Sequence, residues 1–124
     1  MFRILIIDDD PETRFVMRQT LEGAGYEVDE AENGAEALDL YRRRPFDLIM
    51  TDLFMPEKSG LEVIRELRRE TEMLPIIAVS GGGAASSKEA LPAALELGAS
   101  EILSKPFTRE EMLRAVESAL QKLR

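Results

Sequence analysis

Four aspartates stand just after apolar runs of strand length, where their carboxylates could take part in chemistry. Asp8, Asp9 and Asp10 follow the run 4–7, and Asp52 follows the run 48–50 after one threonine. Two like charges about 4 Å apart repel by about 4 kcal/mol at an effective dielectric near 20, so carboxylates that meet need a cation or a proton. Oxygen ligands suit hard divalent ions, and the acids therefore predict a Mg²⁺ site, with Mn²⁺ as the alternative.

A hydroxyl and an amine stand after two further apolar runs. Ser80 follows the run 76–79, and Lys105 follows the run 102–103 after one serine. In a parallel sheet the carboxyl ends of the strands share one edge, so these groups would lie near the aspartates. A bound metal, a carboxylate, a lysine and a hydroxyl form a phosphoryl-transfer set. The carboxylate attacks phosphorus, the metal and Lys105 stabilise charge on the oxygens, and Ser80 donates a hydrogen bond.

The elements that must position these groups alternate along the chain. Runs one, three and four are almost continuously apolar, which is typical of parallel strands covered on both faces. Helical patterns fill the gaps, so the sequence predicts five βα units in an α/β fold, with helices on both faces of a parallel sheet. We expect one domain over residues 1–124, with no output domain in the chain. The predicted strand runs are 4–7, 26–31, 48–50, 76–79 and 102–103.

Several helices carry start signals. Asp10 before Pro11 predicts an N-cap followed by proline at the first helical position. Three further pairs resemble capping boxes, namely Asn33 with Glu36, Ser59 with Glu62 and Thr108 with Glu111. Pro92 would break a helix interior, so we expect it near the start of the fourth helix.

Composition excludes several classes of function. The 124 residues include no cysteine and no histidine, which excludes thiol nucleophiles, Ser-His-Asp chemistry and histidine-ligated metals. The net charge of −8 disfavours direct nucleic-acid binding and favours cations and basic protein patches. The run 4–7 is too short to cross a bilayer and lacks the form of a secretory signal, so we expect no membrane association and a cytoplasmic location.

Five pieces of the sequence, in order, carry a resemblance to a known family. Essentially along its whole length the chain resembles the receiver domains of bacterial response regulators, which act in two-component signalling. The pieces are Ile4-Leu5-Ile6-Ile7-Asp8-Asp9-Asp10, Asp52-Leu53-Phe54-Met55-Pro56 with Gly60, Pro75-Ile76-Ile77-Ala78-Val79-Ser80-Gly81, Gly98-Ala99 and Lys105-Pro106-Phe107. Together, at these separations, they are highly specific.

The resemblance implies a role for each candidate residue. Asp52 would be the phosphoacceptor, Ser80 would hold the phosphoryl group in the active state, and Lys105 would pair with it. The implied Mg²⁺ ligands are Asp8, Asp9, Asp52 and Phe54, the last through its backbone carbonyl.

The resemblance also implies a fold and partners. The fold would be a flavodoxin-like, doubly wound, five-stranded parallel sheet of order 2-1-3-4-5. The phosphoryl donor would be a sensor histidine kinase or a histidine phosphotransfer protein. A downstream protein target would read helix four, strand five and helix five. Such a chain is not an enzyme beyond catalysing its own phosphorylation and dephosphorylation. The sequence leaves the cognate kinase, the target and homodimerisation on activation open.

Three departures from the family pattern lead to two hypotheses. Ile102 stands where the family often has an aromatic residue whose rotation reports phosphorylation. Phe54 stands where a polar residue is common, and we predict that its side chain slows hydrolysis of the acyl phosphate. The segment 81–87 is glycine-rich, and we predict that the connection after Ser80 is the main moving part.

Three alternatives from other classes stay open to experiment. A degenerate receiver would bind a partner without phosphorylation, a reading that Ile102 keeps open. A Mg²⁺-dependent phosphatase with an aspartyl nucleophile would need a second acidic group and a covering cap, for which the chain has no room. A flavin-binding electron carrier would need a phosphate-binding loop after the first strand, where the aspartates would repel phosphate.

Overall fold

A computed structural model of the protein describes residues 1–55, 58–81 and 84–122, and of residues 84–89 it describes the backbone only. Strands and helices alternate strictly along the chain. Their bounds are β1 Arg3–Ile7, α1 Pro11–Gly23, β2 Glu27–Ala31, α2 Gly34–Arg43, β3 Leu48–Asp52, α3 Gly60–Glu70, β4 Ile76–Ser80, α4 Ala84–Leu97, β5 Glu101–Ser104 and α5 Arg109–Gln121. The predicted order of five βα units is confirmed.

The five strands form one parallel sheet in the order β2-β1-β3-β4-β5. This confirms the predicted flavodoxin-like topology. The central strands β3 and β4 are buried at every residue, as expected for strands covered on both faces. Because successive side chains point to opposite faces of the sheet, the central strands contribute residues to two hydrophobic cores, one on each face. Leu5 and Ile49 pack with α2, α3 and α4, whereas Ile4 and Met50 pack with α1 and α5.

The helix start signals act as local chemistry predicts. The Asp10 carboxylate accepts hydrogen bonds from the backbone N–H groups of Glu12 and Thr13, and Pro11 opens α1. Asn33 and Ser59 cap α2 and α3 through their side chains. The reciprocal capping box forms at α5, where Thr108 and Glu111 each bond the other's backbone. These caps satisfy amide groups that a helix leaves unpaired at its start.

Helix α4 corrects two expectations. Pro92 lies inside α4 rather than near its start, although proline removes one intrahelical hydrogen bond. Packing outweighs this local preference, because Ala90, Leu91 and Ala94 are all buried against the sheet. The connection after Ser80 is also shorter than the glycine-rich segment 81–87, since α4 begins at Ala84. Residues 82 and 83, on which the moving-loop hypothesis falls, lie outside the described residues, as does Pro56 of the motif after Asp52.

No helix in the described part of the chain is both long and apolar enough to cross a membrane.

Candidate functional site

Three carboxylates meet where β1 and β3 end side by side. Asp8 follows β1 directly, and Asp52 is the last residue of β3. The two strands are neighbours with Ile7 opposite Thr51, so their ends coincide. Oxygen atoms of Asp8, Asp9 and Asp52 lie within 4.8 Å of one another. Asp8 and Asp52 are buried, whereas Asp9 is exposed. One side of this acidic group therefore faces the protein and the other faces solvent.

Asp8 is bonded through every polar group it has. Its backbone N–H donates to the Ala31 carbonyl at 3.1 Å, and its backbone carbonyl accepts from Arg14 Nη1 at 2.6 Å. One carboxylate oxygen accepts from the Asp10 N–H at 2.9 Å, and the other accepts from Lys105 Nζ at 2.9 Å. Burial of a carboxylate requires such compensation. Asp8 is consequently fixed in one orientation.

Lys105 brings a positive charge to the acids. Its Nζ lies 2.9 Å from Asp8 Oδ2 and 3.8 Å from Asp52 Oδ2. Burial lowers the pKa of Lys105, but the hydrogen bond to Asp8 and the charges of Asp52, Asp8 and Asp10 outweigh it and raise the pKa above its ordinary value. Lys105 therefore stays charged at neutral pH. The Lys105–Pro106 peptide bond is cis.

The backbone after β4 shapes the path of the lysine side chain. The Lys105 N–H donates to the Ser80 carbonyl at 2.7 Å. A Cβ atom on Gly81 would lie 2.5 Å from Lys105 Cδ, closer than carbon atoms can approach. Glycine at position 81 thus leaves the space in which the aliphatic part of Lys105 lies.

Asp52 titrates well above an ordinary aspartate. Burial and the nearby charge of Asp8 raise the pKa of Asp52 from 3.8 to about 6, although Lys105 and the N–H of Phe54 act in the opposite direction. The Phe54 N–H lies 3.4 Å from Asp52 Oδ1. One lysine does not balance three carboxylates, so the site retains excess negative charge. A hard divalent cation fits this donor set, because such ions bind oxygen ligands and the three carboxylate oxygens already lie close together.

The remaining predicted site residues lie at the same edge of the sheet. Ser80 is the last residue of β4 and is fully buried. It comes one residue after Val79, which pairs with Asp52 across the two strands. Phe54 lies two residues beyond β3, and its side chain is 44% exposed. Asp10 caps α1, as its position before Pro11 predicted.

Two features of the site escaped the sequence analysis. Arg14 contacts the Asp8 backbone, but nothing in its spacing separates it from other arginines on the surfaces of helices. Gly60 was noted only as part of a motif. A Cβ there would collide with the carbonyl oxygen of Asp52, so α3 can approach β3 only with glycine at this position. The close approach of two elements could have been suspected from glycine at the first helical position.

Comparison with known proteins agrees with the fold. The family model described as "Response regulator receiver domain" matches residues 4–117. Response regulator MprA of Mycobacterium sp. (strain KMS) is 38% identical over 120 residues, which are 97% of this chain and 51% of that protein. The chain thus spans about half the length of the curated relatives it matches.

Solved structures of similar length share the whole fold. A response regulator receiver domain protein from Clostridium thermocellum has a TM-score of 0.90 at 30% identity, over 98% of this chain and 96% of that one. The chemotaxis response regulator CheY4 of Vibrio cholerae has a TM-score of 0.86 at 30% identity, over 96% and 98% of the two chains. Motif, fold and family match together show that this chain belongs to the receiver domains of response regulators, the switch components of two-component signalling.

Proposed function

We propose that the chain is a switch that accepts a phosphoryl group on Asp52 in a Mg²⁺-dependent reaction and then changes the surface it offers to a partner. One observation supports this most directly. The Asp52 carboxylate is buried at a strand end, within 4.8 Å of the Asp8 and Asp9 oxygens and 3.8 Å from a lysine. Burial excludes water from a nucleophile, and the lysine supplies charge where a phosphoryl group would carry its own.

Asp52 is the proposed nucleophile. With its pKa at about 6, its carboxylate is mostly ionised at neutral pH and so able to attack. An oxygen of Asp52 forms a bond to phosphorus while the bond from phosphorus to the donor's imidazole nitrogen breaks. The imidazole leaves with the electron pair of that bond and takes up a proton. The product is an acyl phosphate on Asp52 and a free histidine on the donor.

Charge at the site governs whether a dianionic phosphoryl group can enter. Asp8, Asp9, Asp52 and the Phe54 carbonyl are the proposed metal ligands. Bound Mg²⁺ would supply the positive charge that offsets the carboxylates and the phosphoryl oxygens. Lys105 would turn from Asp8 toward a phosphoryl oxygen, a short movement because its Nζ already lies 3.8 Å from Asp52 Oδ2. The Ser80 hydroxyl would donate to another phosphoryl oxygen.

The same proposal defines the partners. The donor is a phosphohistidine on a sensor kinase or a phosphotransfer protein, and the recipient of the signal is a downstream protein. A net charge of −8 favours partners with basic surfaces over nucleic acid. We propose a cytoplasmic location and a single receiver unit over residues 1–124, which catalyses only its own phosphorylation and dephosphorylation.

Phosphoryl transfer from acetyl phosphate tests the proposal. The protein is incubated with acetyl phosphate with and without Mg²⁺, and its intact mass is recorded. A phosphoryl adduct that requires Mg²⁺, is lost in Asp52→Asn and is kept in the control Asp39→Asn is the expected result. Asp39 is an exposed acid on α2, paired with Arg43, and lies outside the proposed ligands.

The absence of an adduct has two separable causes. Beryllofluoride binding to the wild type in Mg²⁺ would indicate an intact site with very fast hydrolysis. Absence of both the adduct and beryllofluoride binding would overturn the proposal and favour a receiver that binds its partner without phosphorylation.

A further inference from the structure

Arg14 on α1 connects the acidic group to β2, the outermost strand of the sheet on this side. Its Nη1 donates to the backbone carbonyl oxygen of Asp8 at 2.6 Å, and its Nε donates to Glu30 Oε1 on β2 at 3.0 Å. The Arg14 side chain is 15% exposed. A guanidinium group that contacts two partners in this way holds a defined direction, because its donors lie in one rigid plane.

The Asp8 carbonyl belongs to the peptide unit that links Asp8 to Asp9. Successive side chains of an extended strand point to opposite faces. Both carboxylates reach the same site here, with oxygens within 4.8 Å, so the chain must leave its extended path between them. The direction of this one peptide plane determines where Asp9 points. The Asp8 carbonyl oxygen, to which Arg14 donates, lies in this peptide plane, so the hydrogen bond restrains the direction of the plane.

Glu30 supports Arg14 in turn. Its second carboxylate oxygen accepts from Arg18 Nη1 at 2.8 Å, and Arg18 also pairs with Glu22 at 3.2 Å. The hydrogen bonds from Arg18 and Arg14 lower the pKa of Glu30, so Glu30 is ionised at neutral pH. Its charge balances that of Arg14. The contribution of Arg14 is therefore one of geometry more than of charge.

We infer that Arg14 is a positioning residue that orients the peptide between Asp8 and Asp9 and thereby prepares the two acids to bind a divalent cation. This inference rests on the proposed function, since it concerns the same cation site. It adds a residue whose hydrogen bonds go to the Asp8 backbone and to Glu30, and it couples the site to β2 through Glu30.

Variants of two neighbouring arginines separate this role from general stability. Arg14→Ala removes the contact with Asp8, and Arg14→Lys keeps the charge but not the planar fork. Arg18→Ala is the matched control, because Arg18 shares Glu30 but has no described bond to Asp8. Mg²⁺ affinity is measured by calorimetry at constant pH. The Asp8 carbonyl carbon and Asp9 amide shifts are measured by NMR without metal.

Geometry and charge predict opposite results. If Arg14 positions the acids, both Arg14 variants bind Mg²⁺ roughly tenfold more weakly, and the metal-free NMR signals of Asp8 and Asp9 move. Arg18→Ala would keep its affinity within about twofold. If the charge alone mattered, Arg14→Ala would bind Mg²⁺ more tightly, because a repelling cation is gone, and Arg14→Lys would match the wild type.

Three outcomes would overturn the inference. Unchanged or tighter Mg²⁺ binding by Arg14→Ala would refute the positioning role of Arg14 and leave the proposed function intact. An equal loss in Arg18→Ala would indicate general loosening of the α1–β2 contact. A wild type that binds no Mg²⁺ would overturn both the inference and the proposed function. Should Arg14→Ala not fold, Arg14→Lys carries the test alone, because it keeps the charge and loses the planar fork.

Discussion

Two strand-to-helix junctions end at the same edge of the sheet and are held in different ways. At the β1–α1 junction, Asp10 accepts from the N–H groups of Glu12 and Thr13 and from the Thr13 hydroxyl. Pro11 then sets the first helical position. Arg14 on α1 and the distant Lys105 each bond to Asp8 and complete the junction. The acidic half of the site, which consists of Asp8, Asp9 and Asp52, is thus held in part by caps and bonds at the start of α1 itself.

At the β4–α4 junction, the support seen among the described residues lies at the far end of the helix. The residues before α4 are glycines, which offer no side-chain oxygen to cap it. Pro92 removes an amide hydrogen bond within α4. The end of α4 is anchored instead, because Arg68 donates to the Gly98 carbonyl at 3.0 and 2.8 Å, and Gly98 turns the chain with φ +114°.

We interpret the difference between the β1–α1 and β4–α4 junctions as a difference in their tasks. A cation site benefits from ligands that are oriented before the ion arrives. A switch needs an element whose alternative arrangements differ little in free energy. The acidic half matches the first requirement. We predict that the start of α4, at the opposite end of the helix from the Arg68 anchor, meets the second requirement.

The largest expected effect is on the free energy of unfolding, and it comes from removing the buried negative charge of Asp52. The pKa of Asp52 is raised in the folded protein to about 6 from 3.8, which corresponds to about 3 kcal/mol. Below about pH 4 both states are protonated, so this group does not alter stability. As pH rises through 4 to 6 the unfolded chain ionises first, and folding is disfavoured. Metal-free Asp52→Asn should therefore gain about 3 kcal/mol in urea unfolding above pH 6.

The pH dependence is the decisive part of this prediction. At pH 3.5 Asp52→Asn and the wild type should be almost equally stable, and Asp39→Asn should show no comparable gain at any pH. A gain of equal size at pH 3.5 and pH 7.5 would contradict the assignment to titration of Asp52.

Helix α4 gives the next largest effect. Pro92→Ala restores the missing amide and removes a ring clash, so the variant should be about 2 kcal/mol more stable in urea unfolding. Amide hydrogen exchange should slow in residues 84–92. Pro45, which lies outside the helices, is the control. Pro45→Ala should lower stability slightly, because it frees the unfolded chain. Unchanged exchange in α4 would remove the contrast between the junctions.

Loss of the anchor tests the other end of α4. Arg68→Ala removes two hydrogen bonds to the Gly98 carbonyl and one to the Thr71 carbonyl, so it should cost about 1.5 kcal/mol of unfolding free energy. Exchange should speed up near residues 95–99 and not at the start of α1. The exposed neighbour Arg69 is the control. Equal losses in Arg68→Ala and Arg69→Ala would show that no anchor exists there.

The smallest expected effect lies between the two junctions, at Phe54. Phe54 is exposed, and its backbone N–H lies 3.4 Å from Asp52 Oδ1. We expect its apolar ring to hinder water that approaches an acyl phosphate. Phe54→Asn should dephosphorylate roughly threefold faster, about 0.7 kcal/mol in activation free energy. Phe54→Leu keeps an apolar side chain and should match the wild type. The decay of the phosphoryl adduct by intact mass measures both rates, and equal rates in all three proteins would refute the effect.

Local sequence signals accounted for most of the fold. Apolar runs placed β1, β3 and β4 within two residues of their observed bounds, and the cap at Asp10 marked the start of α1. These signals succeed because strand burial and helix capping depend on residues near each other in the chain. Pro92 shows where such reasoning fails, since buried neighbours keep α4 helical through a residue that disfavours helix.

By itself, the sequence determined that Asp8, Asp9, Asp52, Ser80 and Lys105 share one edge of the sheet. In a parallel α/β fold every strand end points the same way, so position along the chain is enough to place them. Only the tertiary structure decided which atoms meet. The Lys105 amine selects Asp8, 97 residues away, at 2.9 Å, and the Arg14 guanidinium reaches the Asp8 carbonyl. Those contacts depend on side-chain directions and on burial, which are set only when distant elements pack together.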